Sequence, residues 1–399
     1  MEEQIKRKLK LLPTPSYIYL KDGIIENISF LKNKFSSSNA EIFFAVKANT
    51  SLSILKIIKE MGLGAEVVSP GEIFISLKAE FSGDKILYNN IARKEEEVLF
   101  AIKRGIIYFN FESIDQALLL EKCAKKERKK IKVFVRINPG IFPDTHEHLS
   151  TGSPSSKFGM HFDEIKNNIK IIKNFKYAHL IGIHSHIGSQ ILNPEPFIEA
   201  TKKVIETLIY LRENGFKITH VNLGGGFGVP YHPEDKKLDF DPIVECYKNL
   251  NKNYNVKIFL EPGRFIVANA GFILSRVISI KERKGTPLYI IDAGMTELIR
   301  PALYDAYHHI EPLFNFKGRK IKSRVAGPLC ENTDEFGEYE LPQLKLGDIV
   351  LIHNCGAYTR TMAMAYNGRF LAPEYLFDGK FKLIRKKGKF EDFIRNEKY

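Results

Sequence analysis

The chain has 399 residues, 44% of them hydrophobic and 27% charged, which excludes a disordered tail, a collagen and a coiled coil. Sixty basic residues against 47 acidic ones give a net charge of +13, but the basic residues are dispersed. The local runs Lys125–Lys132 and Lys380–Lys389 carry no spaced Cys/His set and no aromatic-rich signature, so no nucleic-acid partner is expected.

The first six residues, Met1–Lys6, are acidic and then basic with no apolar stretch behind them, unlike a secretory signal, which points to the cytoplasm. No run of 18 apolar residues occurs anywhere, so no membrane span is expected. Ser16–Leu20 reads as a strand ahead of the main pattern. Short β-branched and aromatic runs then alternate with stretches of helical period. Eight strand candidates precede residue 265: Glu41–Lys47, Gly64–Val68, Lys85–Asn89, Gly105–Phe109, Ile131–Ile137, His179–His184, Ile218–Leu223 and Lys257–Leu260. Helical patterns fill most gaps, as at Leu52–Met61, Lys94–Lys103 and Ile114–Lys125. The longest gap, Asn138–Tyr177, opens in a Pro/Gly/Ser/Thr-rich loop and ends in a helix. Eight such repeats predict an α/β fold, a closed (β/α)8 TIM-type barrel with right-handed crossovers. After Gly271 strands dominate, at Val277–Lys281, Leu288–Ile291, Ser323–Ala326 and Asp348–His353. The expected organisation is an N-terminal segment 1–25, a barrel over 26–270, and a C-terminal β-rich domain over 271–399 that also takes in the N-terminal strand.

Active sites of such barrels sit at the C-terminal strand ends. Those ends carry Lys47, Glu66, Arg136, His184 and His186, Gly224-Gly225-Gly226, and Glu261-Pro262-Gly263-Arg264. A lysine closing the apolar run Ile42–Val46 either reaches solvent or, with its pKa lowered by burial, offers a neutral amine that condenses with an aldehyde. Three glycines after a strand serve either a tight loop or an anion held by backbone N–H groups. Lysine and glycine triplet together describe a phosphorylated aldehyde cofactor, pyridoxal 5′-phosphate, with Ser189 as a further donor to the phosphate. Glu261 then faces the pyridine nitrogen, or else pairs with Arg264. His186 either stacks on the ring or is a hydrogen-bonded core residue, and the His184/His186 pair lacks the nearby carboxylate of a metal triad, so no metal is expected. Cys123, Cys246, Cys330 and Cys355 show no C-x-x-C spacing and read as thiols.

Nine segments in order, covering almost the whole chain, resemble the fold-type III pyridoxal-phosphate-dependent amino acid decarboxylases, and among them most closely the diaminopimelate decarboxylases. They are Phe44–Asn49, Ser156–Gly159, His184–Gln190, Gly224–Gly226, Glu261–Phe265, Asp292–Met295, Ile299–Tyr304, Gly327–Glu331 and Cys355–Tyr358. The resemblance implies an alanine racemase-like barrel plus a β domain, an amino acid substrate, and a homodimer with shared active sites. It implies that Lys47 carries the cofactor, that Glu66 lies near it and His186 stacks on it, and that Glu261 faces the ring nitrogen. It places the phosphate on Ser189, Gly224, Gly225 and Gly226 and the backbone near Gly263 and Arg264. Arg264, Arg300, Tyr304 and Tyr358 match substrate positions, Tyr358 also touching the cofactor. Cys330 and Glu331 are implied to reach into the other subunit's site, the first as proton donor and the second as partner of the distal ammonium.

The implied reaction is decarboxylation of meso-2,6-diaminopimelate to L-lysine, a step of lysine biosynthesis. Cys330-Glu331-Asn332-Thr333-Asp334 departs from the family's Cys-Glu-Ser-Gly-Asp, and Thr359-Arg360-Thr361 and Tyr366-Asn367-Gly368 look closer to the ornithine branch. These departures leave other diamino acids as substrates: ornithine, lysine or arginine in either hand, or a siderophore-type conjugate. An aldolase would need no carboxylate at a pyridine nitrogen, and a racemase would not need the Cys-Glu pair.

Overall fold

The computed structural model describes residues 3–141, 152–153, 156–314 and 319–398. Part of the loop expected after residue 138 lies outside these residues. The chain divides into two compact units, one of Ile25–Val229 with Lys236–Ile266, the other of Met1–Ile24, Pro230–Asp235 and Val267–Tyr399.

The second unit is built on a nine-stranded sheet. The N-terminal strand β1 (Ser16–Leu20) is part of it. It runs antiparallel to a long C-terminal strand at Gly271–Arg283 and parallel to another at Glu374–Asp378. Its pattern is apolar and nearly continuous because both edges are paired and Tyr17, Ile18 and Tyr19 are buried.

The first unit is a closed parallel barrel of eight strands. These are β2 (Ala40–Ala45), β3 (Gly64–Val67), β4 (Ile86–Tyr88), β5 (Tyr108–Phe111), β6 (Ile131–Arg136), β7 (Ala178–His184), β8 (His220–Asn222) and β9 (Lys257–Leu260). Pairing of β2 with β9 closes it. Helices follow most strands. Pro70–Lys78 starts where Ser69 Oγ accepts from the Glu72 N–H at 3.2 Å, and Ile114–Lys126 starts where Ser113 Oγ accepts from Gln116 N–H at 3.3 Å.

Several expected boundaries move, two of them for a clear local reason. The fourth barrel strand lies at Tyr108–Phe111, not Gly105–Phe109, because Gly105 takes φ +82° and belongs to the turn. The first ends at Ala45, and Lys47 sits in a 3-10 turn over Val46–Ala48.

Side chains alternate between the two faces of each strand, so residues two apart share the barrel interior. Phe43, Leu87, Phe134 and Phe259 form one buried interior cluster, with Tyr108 and Ile181 against it. A Cβ on Gly182 would lie 2.5 Å from the Phe134 ring, so that ring fills the space a side chain would take. Two residues further along their strands come Asn89, Arg136 and Glu261, with Asn110 above Tyr108. Ladder register adds Glu66 beside Ala45 and Leu87, and His184 and Asn222 beside Arg136 and Phe259. The barrel therefore has an aromatic floor and, toward its C-terminal mouth, a buried polar layer.

Candidate active site

The polar layer is organised around Glu261, which is 7% exposed. Its Oε1 accepts from Asn89 Nδ2 at 2.7 Å and from Asn222 Nδ2 at 2.6 Å. Its Oε2 lies 3.5 Å from His184 Nε2. Burial opposes ionisation of Glu261, but the histidine and the two amides outweigh it and hold the carboxyl well below the usual carboxylate range. His184 itself is pushed down by burial, so we assign the ionised state of Glu261 chiefly to the amides.

Glu66 shows the opposite balance. It is 1% exposed, and neither carboxylate oxygen accepts a hydrogen bond. Burial lifts it to about 7, against the pull of Lys47 and with the repulsion of Glu261; a small further pull comes from Asn89. The Lys47 amine lies 3.6 Å from Glu66 Oε2. The Lys47 side chain is 40% exposed, less enclosed than a lysine at the end of an apolar strand is expected to be, because the turn lifts it past the strand.

His186 is held well below its usual pKa by burial first and by Lys47 and Arg136 next, so its imidazole is neutral at pH 7. Its Nδ1 accepts from the Gly225 N–H at 3.3 Å. The glycine triplet is required by close approach. Gly226 has φ +100° and a Cβ there would lie 2.6 Å from Gly188 O, while one on Gly225 would overlap the Glu261 carbonyl. A Cβ on Gly263 would meet Ala48 Cβ at 2.9 Å, so strand ends β9 and β2 close together beside Lys47. Arg264 is buried and donates to Ser189 Oγ through Nη2 at 2.9 Å and Nε at 3.3 Å.

The barrel unit thus brings Lys47, Glu66, His186, Ser189, Gly224, Gly225, Gly226, Glu261, Gly263 and Arg264 to one end. The sheet unit carries the others. Arg300 and Tyr304 bound the short helix Arg300–Tyr304. Arg300 is buried, and its Nη1 donates to His308 Nε2 at 2.8 Å. Cys330 and Glu331 are exposed on a loop, and Tyr358 adopts φ +56°. Asn89 and Asn222 were absent from the sequence reading; their period-two offset from barrel-interior positions is the signal that finds them. Among the described residues no cluster of three or more metal-ligating side chains occurs.

Residues 21–268 match the pyridoxal binding domain of pyridoxal-dependent decarboxylases. A diaminopimelate decarboxylase of Aquifex aeolicus is 36% identical over 98% of this chain and 93% of its own length. The chain belongs to this family of decarboxylases. The crystal structure of diaminopimelate decarboxylase from Helicobacter pylori, complexed with L-lysine, superimposes with a TM-score of 0.93 at 33% identity, covering 98% of both chains. Lysine decarboxylase from Selenomonas ruminantium superimposes with 0.84 at 26% identity, over 95% of this chain and 97% of that one.

The cofactor of the family, pyridoxal phosphate, fits the residues present. Glu261 is a buried carboxylate kept ionised, among the described residues, without a lysine or arginine in ion-pair contact with it, as a pyridinium N–H requires. A Cβ at any glycine of the triplet or at Gly263 would collide with the residues packed against it, so bare backbone lines this end of the barrel. A neutral imidazole at His186 offers a flat face with no charge to repel the ring.

Proposed function

We propose that the protein decarboxylates meso-2,6-diaminopimelate to L-lysine and CO2 in the cytoplasm, as a homodimer, with pyridoxal 5′-phosphate in the barrel. The ionised Glu261 carries the chemical part of this reading. The substrate part is supported by full-length likeness to diaminopimelate decarboxylases and by L-lysine, the product of this reaction, in the Helicobacter pylori complex. Four free cysteines, Cys123, Cys246, Cys330 and Cys355, suit a reducing compartment.

When bound, pyridoxal phosphate supplies an electron sink for the pair left by departing CO2. Lys47 would hold it through its side-chain amine. Glu261 keeps the ring nitrogen protonated. Glu66, lifted to about 7 beside the Lys47 amine, would hold or release a proton at that amine. His186 would lie against one face of the ring and shield it from water. Ser189, whose oxygen accepts from Arg264, donates its own proton to the phosphate, joined by the backbone of Gly224–Gly226, Gly263 and Arg264. Arg264, Arg300, Tyr304 and Tyr358 bind the substrate, Arg300 gripping a carboxylate in bidentate fashion. Cys330 protonates the α-carbon and Glu331 takes the distal ammonium, each subunit lending this pair to the other; their exposure on the isolated chain is consistent with that reach.

Release of CO2 from meso-diaminopimelate, L- and D-ornithine, L- and D-lysine and L-arginine tests the substrate. Diaminopimelate should be turned over best. Turnover no better than that of ornithine or lysine refutes the assignment.

A further inference from the structure

Glu66 and Glu261 are neighbouring buried carboxyls of one polar layer, at the ends of β3 and β9, yet one sits at about 7 and the other well below the carboxylate range. Burial pushes both upward. Besides His184 on Glu261, the difference between them is in the amide donors. Two side-chain amides, from β4 and β8 on either side of the barrel, converge on the single oxygen Oε1 of Glu261 at 2.7 and 2.6 Å. Around Glu66 the Lys47 amine lies 3.6 Å from Oε2 and Asn89 exerts a weaker pull, but among the described residues neither oxygen is met at ordinary hydrogen-bond distance.

Asn222 is itself fixed. Its Oδ1 accepts from the Gly224 N–H at 2.9 Å, so its amide orientation is set by the same glycine segment that forms the cradle. Its Nδ2 then has one direction to point, toward Glu261. His184 lies on the other oxygen at 3.5 Å and is lowered by burial; Arg136 and Glu112, themselves an ion pair at 3.3 Å, are the charged groups facing it. A neutral His184 leaves the negative charge of Glu261 to be stabilised by the amides.

We propose that Asn89 and Asn222 are positioning residues for the decarboxylation: together they keep Glu261 ionised and aimed, and so keep the proton on the cofactor's ring nitrogen. The assignment rests on the reading that Glu261 faces that nitrogen. Neither asparagine need touch the substrate or the ring. Without them Glu261 would take up a proton more readily and would no longer keep one on the ring nitrogen of the bound cofactor, while substrate binding would remain.

The test uses the holoenzyme and the variants Asn89→Ala, Asn222→Ala and their combination, each also in a Glu261→Gln background. Each single loss should lower kcat about tenfold, the scale of one hydrogen bond to a charged group, with KM changed less than about twofold. The pH profile of the holoenzyme's visible absorbance should move in step. In the Glu261→Gln background the same substitutions should have no further effect on either readout. A second measurement needs no asparagine variant. The infrared difference spectrum of parent apoenzyme minus Glu261→Gln should show an ionised carboxylate from pH 8 down to pH 5. A protonated carboxyl band in that range overturns the proposal, as does an undiminished fall of kcat on removing the amides in the Glu261→Gln background. Glu261→Gln with the parent's kcat and spectrum would instead overturn the reading that Glu261 faces the ring.

Discussion

Glu66→Gln in the apoenzyme isolates one buried charge. Glu66 is 1% exposed, and burial lifts its carboxyl from the ordinary 4.5 to about 7, with Lys47 as the main opposing pull. A carboxyl raised in this way favours folding while it is protonated. Its contribution is complete below pH 4.5 and is lost as pH rises through about 7. The gap between the two values corresponds to about 3 kcal/mol. Glutamine has the same shape and no charge, and Lys47, with a side chain 40% exposed, keeps its own charge solvated. The variant should therefore match the parent at pH 4.5 and exceed it at pH 8 by up to about 3 kcal/mol. The chain has no tryptophan, so urea unfolding is followed by circular dichroism. A stability difference equal at pH 5 and pH 8, or a variant weaker than the parent at pH 8, would show that Glu66 is not a carboxyl held near neutrality by burial.

Arg300 donates to His308 Nε2 at 2.8 Å, the other ring nitrogen meets the His353 carbonyl at 2.8 Å, and the guanidinium lies 4.4 Å from the Tyr231 ring centre. That fixes the His308 tautomer with its proton on Nδ1. His308→Ala should raise KM at least about tenfold with kcat and cofactor absorbance nearly unchanged, and an unchanged KM would contradict a substrate role for Arg300. Gly225→Ala places a Cβ onto the Glu261 carbonyl and should weaken cofactor retention on dialysis at least about tenfold; full retention would remove the triplet from the phosphate site. The Lys47→Ala and Cys330→Ala variants should each be inactive and regain part of the activity when mixed. No recovery despite demonstrated subunit exchange would rule out shared sites.

The alternation of apolar runs and helical stretches made the barrel legible, because each parallel strand is buried on both faces and reads as a block. Strand ends were less legible where local backbone overrode the run. Val46 and Lys47 continue an apolar strand by composition but turn into a 3-10 segment, and Gly105 withdraws three residues from the next strand. In the sheet unit, Glu335–Leu341 went unread because Gly337 and alternating charges break its pattern, and Lys380–Arg385 because it is an exposed edge. Polar residues at the barrel mouth were visible singly. Which of them meet was not, since Asn89 and Glu261 are 172 residues apart and only closure of the barrel joins them.

The departure at Asn332-Thr333 is confined to what the loop presents, because the frame of the loop is held elsewhere. Asp334 is 4% exposed; its Oδ1 accepts from Met295 N–H at 2.6 Å and its Oδ2 from Leu329 N–H at 2.8 Å. Its backbone carbonyl accepts from Gly327 N–H at 2.8 Å. Gly294 and Gly327 pack so closely on its carboxylate that a Cβ at either would overlap it. One carboxylate thus ties the start and end of the segment carrying Cys330 and Glu331 to the turn at Gly294-Met295. Asn332 and Thr333 lie between these anchors with exposed side chains, and the hydrogen bond from Thr333 Oγ1 to Met295 Sδ at 3.8 Å is weak. Changing them to the family's serine and glycine would leave the anchors intact and alter only the groups offered to a substrate's far end. Asn332→Ser with Thr333→Gly should therefore shift the preference between diaminopimelate and lysine without changing thermal stability by more than a few degrees. A collapse in stability would show that this pair supports the frame, and an unchanged preference would move the distal-end specificity to other residues.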